Sequence, residues 1–302
     1  MLRWTDRMDP LATLGRALRG TGYAFVTPTP ETHRRVFARG GEARDLRDVF
    51  GWSRPFAPGF LPPRLEALLD EASALERHGD RLRSAVRFSS LGPLLFAHSA
   101  YPTTDASAVF FGPDTYRFAA LLEQRIERAG AVADVGCGSG AGGLLLARRA
   151  QSVQLLDINP RAVRFARANA ELNDREARAA QSDVLSAAEG PLDLIVANPP
   201  YLADDLGRAY RDGGEGLGTA LSVRIAREAL ARLSPGGRLL LYTATPVIDG
   251  AHLIWPALER LLAGTRWDYR ELDPDVFGEE LDRCNYATVE RIAVVALDVT
   301  RR

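Results

Sequence analysis

The chain has no lysine: all 38 of its basic side chains are arginine. Arginine forks suit phosphate, but the accompanying abundance of Ala and Gly reads as compositional bias rather than a phosphate-binding specialisation. Cysteine is scarce as well. Cys137 and Cys284 are too few for a spaced metal set or a disulfide framework, which fits a reducing compartment. The four histidines, His33, His78, His98 and His252, show no ligand spacing. No run approaches the roughly twenty apolar residues of a membrane helix. Met1-Leu2-Arg3-Trp4-Thr5-Asp6 lacks the apolar segment of an export signal. A soluble, cytoplasmic, monomeric protein with no membrane partner is expected. Charge of one sign is missing too: the net charge is −1 at pH 7, so nothing draws the whole chain to nucleic acid or membrane. The first 105 residues, with 15 Arg against 12 Asp and Glu, are only mildly basic.

With 302 residues, 46% hydrophobic and 25% charged, the chain suits one large globular domain and a smaller one. Residues 1–84 read as a mainly helical N-terminal domain that selects substrate, with a helix over Arg64–His78. Residues 85–105 read as a hairpin linker, Ala85–Ser89 and Leu94–His98 flanking a longer loop at Gly92-Pro93. Over 106–302 strands and helices alternate: strand Val132–Val135, helix Gly143–Ala150, strand Val153–Leu156, then a helix capped by Asn159 and opened by Pro160. A short strand follows at 177–181, then strand Leu192–Ala197, a helix over Thr219–Leu233, a stop at Ser234-Pro235-Gly236-Gly237, and strand Arg238–Tyr242. Trp267–Leu272 and Thr288–Asp298 form a final hairpin with no helix between. The expected fold is α/β: a Rossmann-like, seven-stranded, mostly parallel sheet with a terminal antiparallel hairpin.

Gly136-Cys137-Gly138-Ser139-Gly140 lies between a strand and a helix, where glycines let a backbone turn sharply and approach a ligand. Gly138, Gly140 and Gly143 also satisfy G-x-G-x-x-G, so a dinucleotide is one reading. Asp157 ends the next strand, where a carboxylate grips a ribose diol. Asp134, just before the glycines, would repel a pyrophosphate. It could instead help order a loop around a ligand with a cationic sulfur such as S-adenosylmethionine. Asp183-Val184, at the end of the third strand, could accept a hydrogen bond from an adenine amino group.

Asn198-Pro199-Pro200-Tyr201 follows strand Leu192–Ala197 directly. An amide or aniline-like nitrogen is a poor nucleophile because its lone pair is delocalised. A catalyst can accept its two N–H groups and aim it at an electrophilic methyl. The Asn198 oxygen can take one N–H, the Pro199 carbonyl the other, and proline rigidity holds Pro199 and Pro200 in place. Tyr201 can stack on the planar group.

These motifs together resemble a class I S-adenosylmethionine-dependent methyltransferase that methylates amino groups, and within that class the protein release-factor glutamine N5-methyltransferases. Asp212-Gly213-Gly214-Glu215-Gly216-Leu217 resembles the segment that follows N-P-P-Y in that family. Pro113-Asp114-Thr115 resembles its segment bordering the cofactor pocket, which adds Thr115 to the cofactor residues. The likeness covers about 85–302. It implies methyl transfer to a glutamine side chain of a protein such as a translation factor, with Asn198 and the Pro199 carbonyl holding the amide. Three alternatives stay open. One is an exocyclic amino group of adenine or guanine in RNA or DNA. Another is a non-catalytic cofactor-binding partner of a methylase. The third, a dehydrogenase, is disfavoured by Asp134 and by the lack of a catalytic His or Tyr-Lys pair.

Overall fold

A computed structural model describes residues 8–204 and 208–302; the opening Met1–Asp6 segment read above lies outside the described residues. Each N-terminal helix starts where the sequence supplies proline or a small polar cap. In α1 (Pro10–Gly20) the Asp9 carboxylate accepts the Leu11 N–H, and in α2 (Pro30–Phe37) the Thr29 hydroxyl accepts that of Thr32. In α3 (Leu46–Phe50) Asp45 accepts from Asp48. Each such bond satisfies a donor that a helix start leaves open. The expected helix over Arg64–His78 is shorter. α4 (Pro63–Glu71) ends where Ser73 turns left-handed at φ 54. Leu75–His78 instead becomes β1, paired antiparallel with β2 (Arg81–Ser84) around Gly79 at φ 63. The linker hairpin forms, as β3 (Val86–Leu91) and β4 (Leu94–Ser99). Its loop is tighter than expected: Leu91 faces Leu94, leaving Gly92 and Pro93 as the whole turn.

The large sheet comes next. After α5 (Pro113–Arg125) run β5 (Ala129–Val135), α6 (Ala141–Leu146), β6 (Ala150–Asp157), α7 (Pro160–Leu172), β7 (Arg178–Gln181) and β8 (Leu192–Ala197). α8 (Glu215–Gly218), α9 (Ala220–Arg232), β9 (Leu233–Ile248), β10 (Ala251–His252), α10 (Trp255–Leu261), β11 (Arg266–Asp273) and β12 (Arg291–Thr300) complete the chain. The order is β11-β12-β9-β8-β5-β6-β7, with β10 paired to β9. β7, β6, β5, β8 and β9 are parallel, and β12 is antiparallel to both its neighbours. The expected α/β class, Rossmann-like sheet and terminal antiparallel hairpin are therefore present.

Three boundaries differ. The helix after the glycine loop begins at Ala141 and ends at Leu146, not Gly143–Ala150, because Ala150 already pairs with Ala129. The strand expected over Arg238–Tyr242 extends to Leu233–Ile248, because β12 pairs with it from Arg238 to Val247 and Leu233 pairs with Leu192 of β8. The loop between the last two strands, read as helix-free, holds 3-10 turns at Gly278–Asp282 and Cys284–Tyr286.

The N-terminal helix α1 packs on α7, a helix that itself covers the large sheet. Leu11, Leu14 and Leu18 of α1 share a buried cluster with Phe165 and Leu172 of α7, each worth about 1.5–3 kcal/mol of burial. α1 approaches α7 so closely that a Cβ on Gly15 would lie 2.6 Å from Leu172 Cδ2. Two buried asparagines on α7 complete the join. Asn169 exchanges hydrogen bonds with the Ala97 backbone at 2.7 and 2.9 Å, and Asn173 with Leu95 at 3.0 and 2.8 Å. α7 thus satisfies the outer edge of β4 as another strand would.

Candidate active site

Neighbouring strands β5 and β8 leave the sheet at the same level, since Val135 faces Ala197 in parallel register. Gly136 and Asn198 therefore start their loops side by side at the carboxyl end of the sheet, where α/β folds hold ligands. A Cβ on Gly136 would lie 3.9 Å from Pro199 Cα. Both loops line one cavity of about 580 Å³, within the range that encloses a small ligand.

The glycine loop is set by its backbone. Gly136, Gly138 and Gly140 have φ values of 67, 54 and 82, a region that favours glycine. A Cβ on Gly136 or Gly138 would meet no protein atom nearer than 3.9 Å, so the open side of the loop faces the cavity. Gly143 has another purpose: its Cβ would come 2.4 Å from Leu155 Cδ2, so it lets α6 rest on β6. Asp157 accepts the Gly138 N–H at 2.8 Å through one oxygen and the Asn159 N–H at 2.9 Å through the other. This fixes the carboxylate on the cavity wall, and burial raises its pKa despite both donors. Asp134 is buried beneath the loop and accepts the Gly143 N–H at 2.7 Å, ordering the start of α6. Desolvation pushes its pKa up to about 7. Burial and the two carboxylates also push the Cys137 thiol up, leaving it protonated and unreactive.

Asp183 and Val184 lie at the rim. The Asp183 carboxylate is held by both Arg224 nitrogens at 2.8 Å, which lowers its pKa. Val184 has φ 49, an outlier for a β-branched residue. Thr115 stands in the first turn of α5, its hydroxyl accepting the Gly112 N–H at 3.3 Å. All three line the cavity.

The Asn-Pro-Pro-Tyr segment occupies the same cavity. Among the described residues the Asn198 carboxamide has no hydrogen-bond partner, and no backbone donor reaches the Pro199 carbonyl. Two polar groups are therefore left open beside the glycine loop. Tyr201 is buried and lines the cavity. Burial raises its hydroxyl well above the usual range, with Asp114 adding charge and a hydrogen bond. The Asp212–Leu217 segment braces this turn from behind. A Cβ on Gly213 would lie 2.8 Å from the Pro200 oxygen, and one on Gly218 would lie 2.5 Å from the Tyr201 carbonyl carbon. Gly213 also donates to the Leu202 oxygen at 2.8 Å.

The structure thus gathers every sequence-expected residue (Thr115, Asp134, Gly136, Gly138, Asp157, Asp183, Val184, Asn198, Pro199, Pro200, Tyr201) on one cavity, with Gly140 at the base of the same loop. Others were not foreseen. Asp114 receives the Tyr242 hydroxyl at 3.0 Å and Arg117 at 3.1 Å; its place beside Thr115 was a usable signal. Arg224 and Phe277 lie far away in sequence and carried no such signal.

The methyltransferase small domain family matches residues 108–247. Over 194 residues the chain is 36% identical to the release factor glutamine methyltransferase of Deinococcus radiodurans, covering 59% of this chain and 66% of that protein. Over 113 residues it is 40% identical to the ribosomal RNA small subunit methyltransferase C of Chromohalobacter salexigens, covering 36% of this chain and 30% of that one. The chain therefore spans less than two thirds of the curated relatives it matches. Trm5b of Pyrococcus abyssi shares the fold, with a TM-score of 0.52 at 16% identity over 80% of this chain and 71% of that one. The cavity's size, its open glycine backbone and its buried carboxylates suit S-adenosylmethionine. Residues 108–247 thus carry the match to the methyltransferase small domain family, and the cofactor that the cavity takes is S-adenosylmethionine.

Proposed function

We propose that the whole protein methylates a planar amide or amino nitrogen, and that its acceptor is a glutamine side chain of a protein. The observation that carries the reading is the pair at the end of β8: an Asn198 carboxamide and a Pro199 carbonyl without hydrogen-bond partners among the described residues, against the glycine loop. S-adenosylmethionine supplies a methyl group on a cationic sulfur, with the sulfur as leaving group. In this reading Asp157 accepts the ribose diol, Asp183 and Val184 border the adenine, and Thr115 closes the cavity from α5. Asn198 and the Pro199 carbonyl accept the two acceptor N–H groups and fix the nitrogen in line. Held there, the nitrogen would take the methyl group from the sulfonium, the neutral thioether leaving, and would give up one proton to solvent. Each hydrogen bond is worth about 0.5–1.5 kcal/mol, so alignment contributes the larger share. The name of the Deinococcus relative supports a protein acceptor.

A second reading, transfer to an exocyclic amino group of a nucleobase, draws on the ribosomal RNA relatives. It also draws on a stacked aromatic pair in the cavity, Phe110 and Tyr210, at 5.6 Å and 18°. The test is incubation with tritiated-methyl S-adenosylmethionine and a bacterial extract, followed by separate nuclease and protease digestion. Label that survives nuclease and is released by protease as methylglutamine is the expected result. Label lost to nuclease would select the nucleobase. The absence of label would favour a non-catalytic cofactor-binding partner.

A further inference from the structure

One wall of the cavity comes from the far end of the chain. Phe277, in the loop between β11 and β12, lines the cavity together with Asn198 and Tyr201. Its ring lies 6.0 Å from that of Tyr201 with the planes inclined at 56°. Its backbone is left-handed, at φ 58 and ψ 40, a conformation that costs a bulky residue about 1–3 kcal/mol and persists only where its surroundings fix it. They do so here. The Val276 N–H donates to the Ile292 oxygen at 2.9 Å, and the Glu280 N–H to the Phe277 oxygen at 2.8 Å.

The same loop is fastened to the chain just after Tyr201. Glu280 is 4% exposed, and its carboxylate receives Arg211 and Arg283. Arg283 donates to the Ala203 oxygen at 2.6 Å, and the Ala203 N–H donates to the Tyr286 hydroxyl at 3.0 Å. A buried ion cluster carries a desolvation cost and is a weak way to gain stability, but it fixes geometry. Here it holds a strained aromatic residue against Tyr201.

We infer that Phe277 is a specificity-determining residue that sets the shape of the acceptor slot beside Tyr201 and selects a side-chain carboxamide over a nucleobase. Two rings in contact at 56° form a V rather than parallel faces. A bicyclic base stacking on Tyr201 needs a flat surface extending beyond the ring, and Phe277 interrupts that surface. A carboxamide on an aliphatic stem is narrow, and its methylenes can lie along both rings. The inference rests on the reading above and adds the residue that sets the acceptor class.

The experiment compares wild type, Phe277→Leu and Phe277→Ala with tritiated-methyl S-adenosylmethionine. Two acceptors are used: bacterial total protein freed of RNA, and total RNA freed of protein. Calorimetric affinity for S-adenosylmethionine should stay within about twofold in all three, while Phe277→Ala raises the half-saturating protein concentration by about tenfold or more. The protein-to-RNA ratio of incorporated label should fall by a similar factor, with Phe277→Leu between. If Phe277→Ala does not bind the cofactor, Phe277→Leu carries the same readout. Unchanged half-saturation and ratio with cofactor binding intact would overturn the role of Phe277 alone. Wild-type labelling of RNA in preference to protein would overturn the acceptor class. No label from wild type on either acceptor would overturn the methyl-transfer reading, and this inference with it.

Discussion

Asn in place of Asp134 removes a titrating group while keeping an oxygen for the Gly143 N–H, which the native carboxylate accepts at 2.7 Å. Burial lifts the Asp134 carboxyl from 3.8 to about 7; the Gly143 hydrogen bond opposes this and the Asp157 charge adds to it. The unfolded chain titrates this group near 3.9, so the folded protein holds the proton more tightly. The contribution to stability is therefore fully present below about pH 4 and is lost as pH rises through about 7. The displacement amounts to about 4 kcal/mol in all, of which about 3 kcal/mol falls between pH 5 and 8.5. Urea denaturation of wild type and Asp134→Asn across that interval should show the variant gaining about 3 kcal/mol relative to wild type toward high pH. S-adenosylmethionine adds positive charge to the cavity that Asp134 lines, which favours the ionised carboxylate. Wild type should therefore release protons on binding near pH 7, seen as a binding enthalpy that depends on the ionisation enthalpy of the buffer. That dependence should shrink in Asp134→Asn. A stability difference flat across pH would refute the buried-acid assignment. Proton uptake on binding would refute placing the cofactor's charge near Asp134.

Asn198→Ala should bind S-adenosylmethionine with wild-type affinity by calorimetry but transfer methyl groups about 10²-fold or more slowly; wild-type turnover would remove Asn198 from the clamp. Asp157→Ala should weaken cofactor binding by about tenfold or more, because a charge-assisted hydrogen bond is worth about 1.5–3 kcal/mol. An unaltered dissociation constant would end its role as the ribose ligand. Glu280→Gln weakens the charge on two arginine contacts and should lower stability by about 1–3 kcal/mol in urea. Its cofactor affinity should hold, and a coupled loss of both would place the terminal loop in the cofactor site.

The cofactor side of the cavity was legible in sequence because it is made of local geometry. β5, the glycine loop, α6, β6 and Asp157 follow one another within about thirty residues, and each turn is enforced by the residue that occupies it. Asn198-Pro199-Pro200-Tyr201 was legible for the same reason: an apolar strand stops where two prolines forbid its continuation. The errors arose where a distant partner decided the outcome. Leu75 continues the helical spacing of Leu65, Leu68 and Leu69, yet pairs with Ser84 in a hairpin. Ser234-Pro235-Gly236-Gly237 reads as a break, yet lies inside β9, as a register shift in its pairing with β8 between Leu233 and Arg238. The hold of Asn169 and Asn173 on β4, and of Glu280 on Arg211, joins positions 69 to 78 residues apart. No local pattern encodes such pairs.

That division has a physical consequence for how specificity is built. The glycine loop and its carboxylates are held from β5 to α7: Asp134 and Asp157 accept backbone N–H groups of that stretch, and Asn169 donates to the Ser139 oxygen. The acceptor side has no such self-sufficiency. Its wall combines Phe110 and Tyr210, which stack across the segment before α5 and the loop after β8, with Phe277 from the terminal hairpin and Pro30 from α2. Two polar links hold elements of this side: Glu280 with Arg211 and Arg283 ties the terminal loop to the loop after β8, and the Tyr242 hydroxyl on Asp114 ties β9 to α5. A substitution on this side changes the shape offered to the acceptor while the anchoring of Asp157 and Asp134 is untouched. Acceptor half-saturation and cofactor affinity should therefore vary independently across such variants. Their separation in Phe277→Leu, Glu280→Gln and Asp157→Ala measured side by side is what a cavity assembled from two separately supported halves requires.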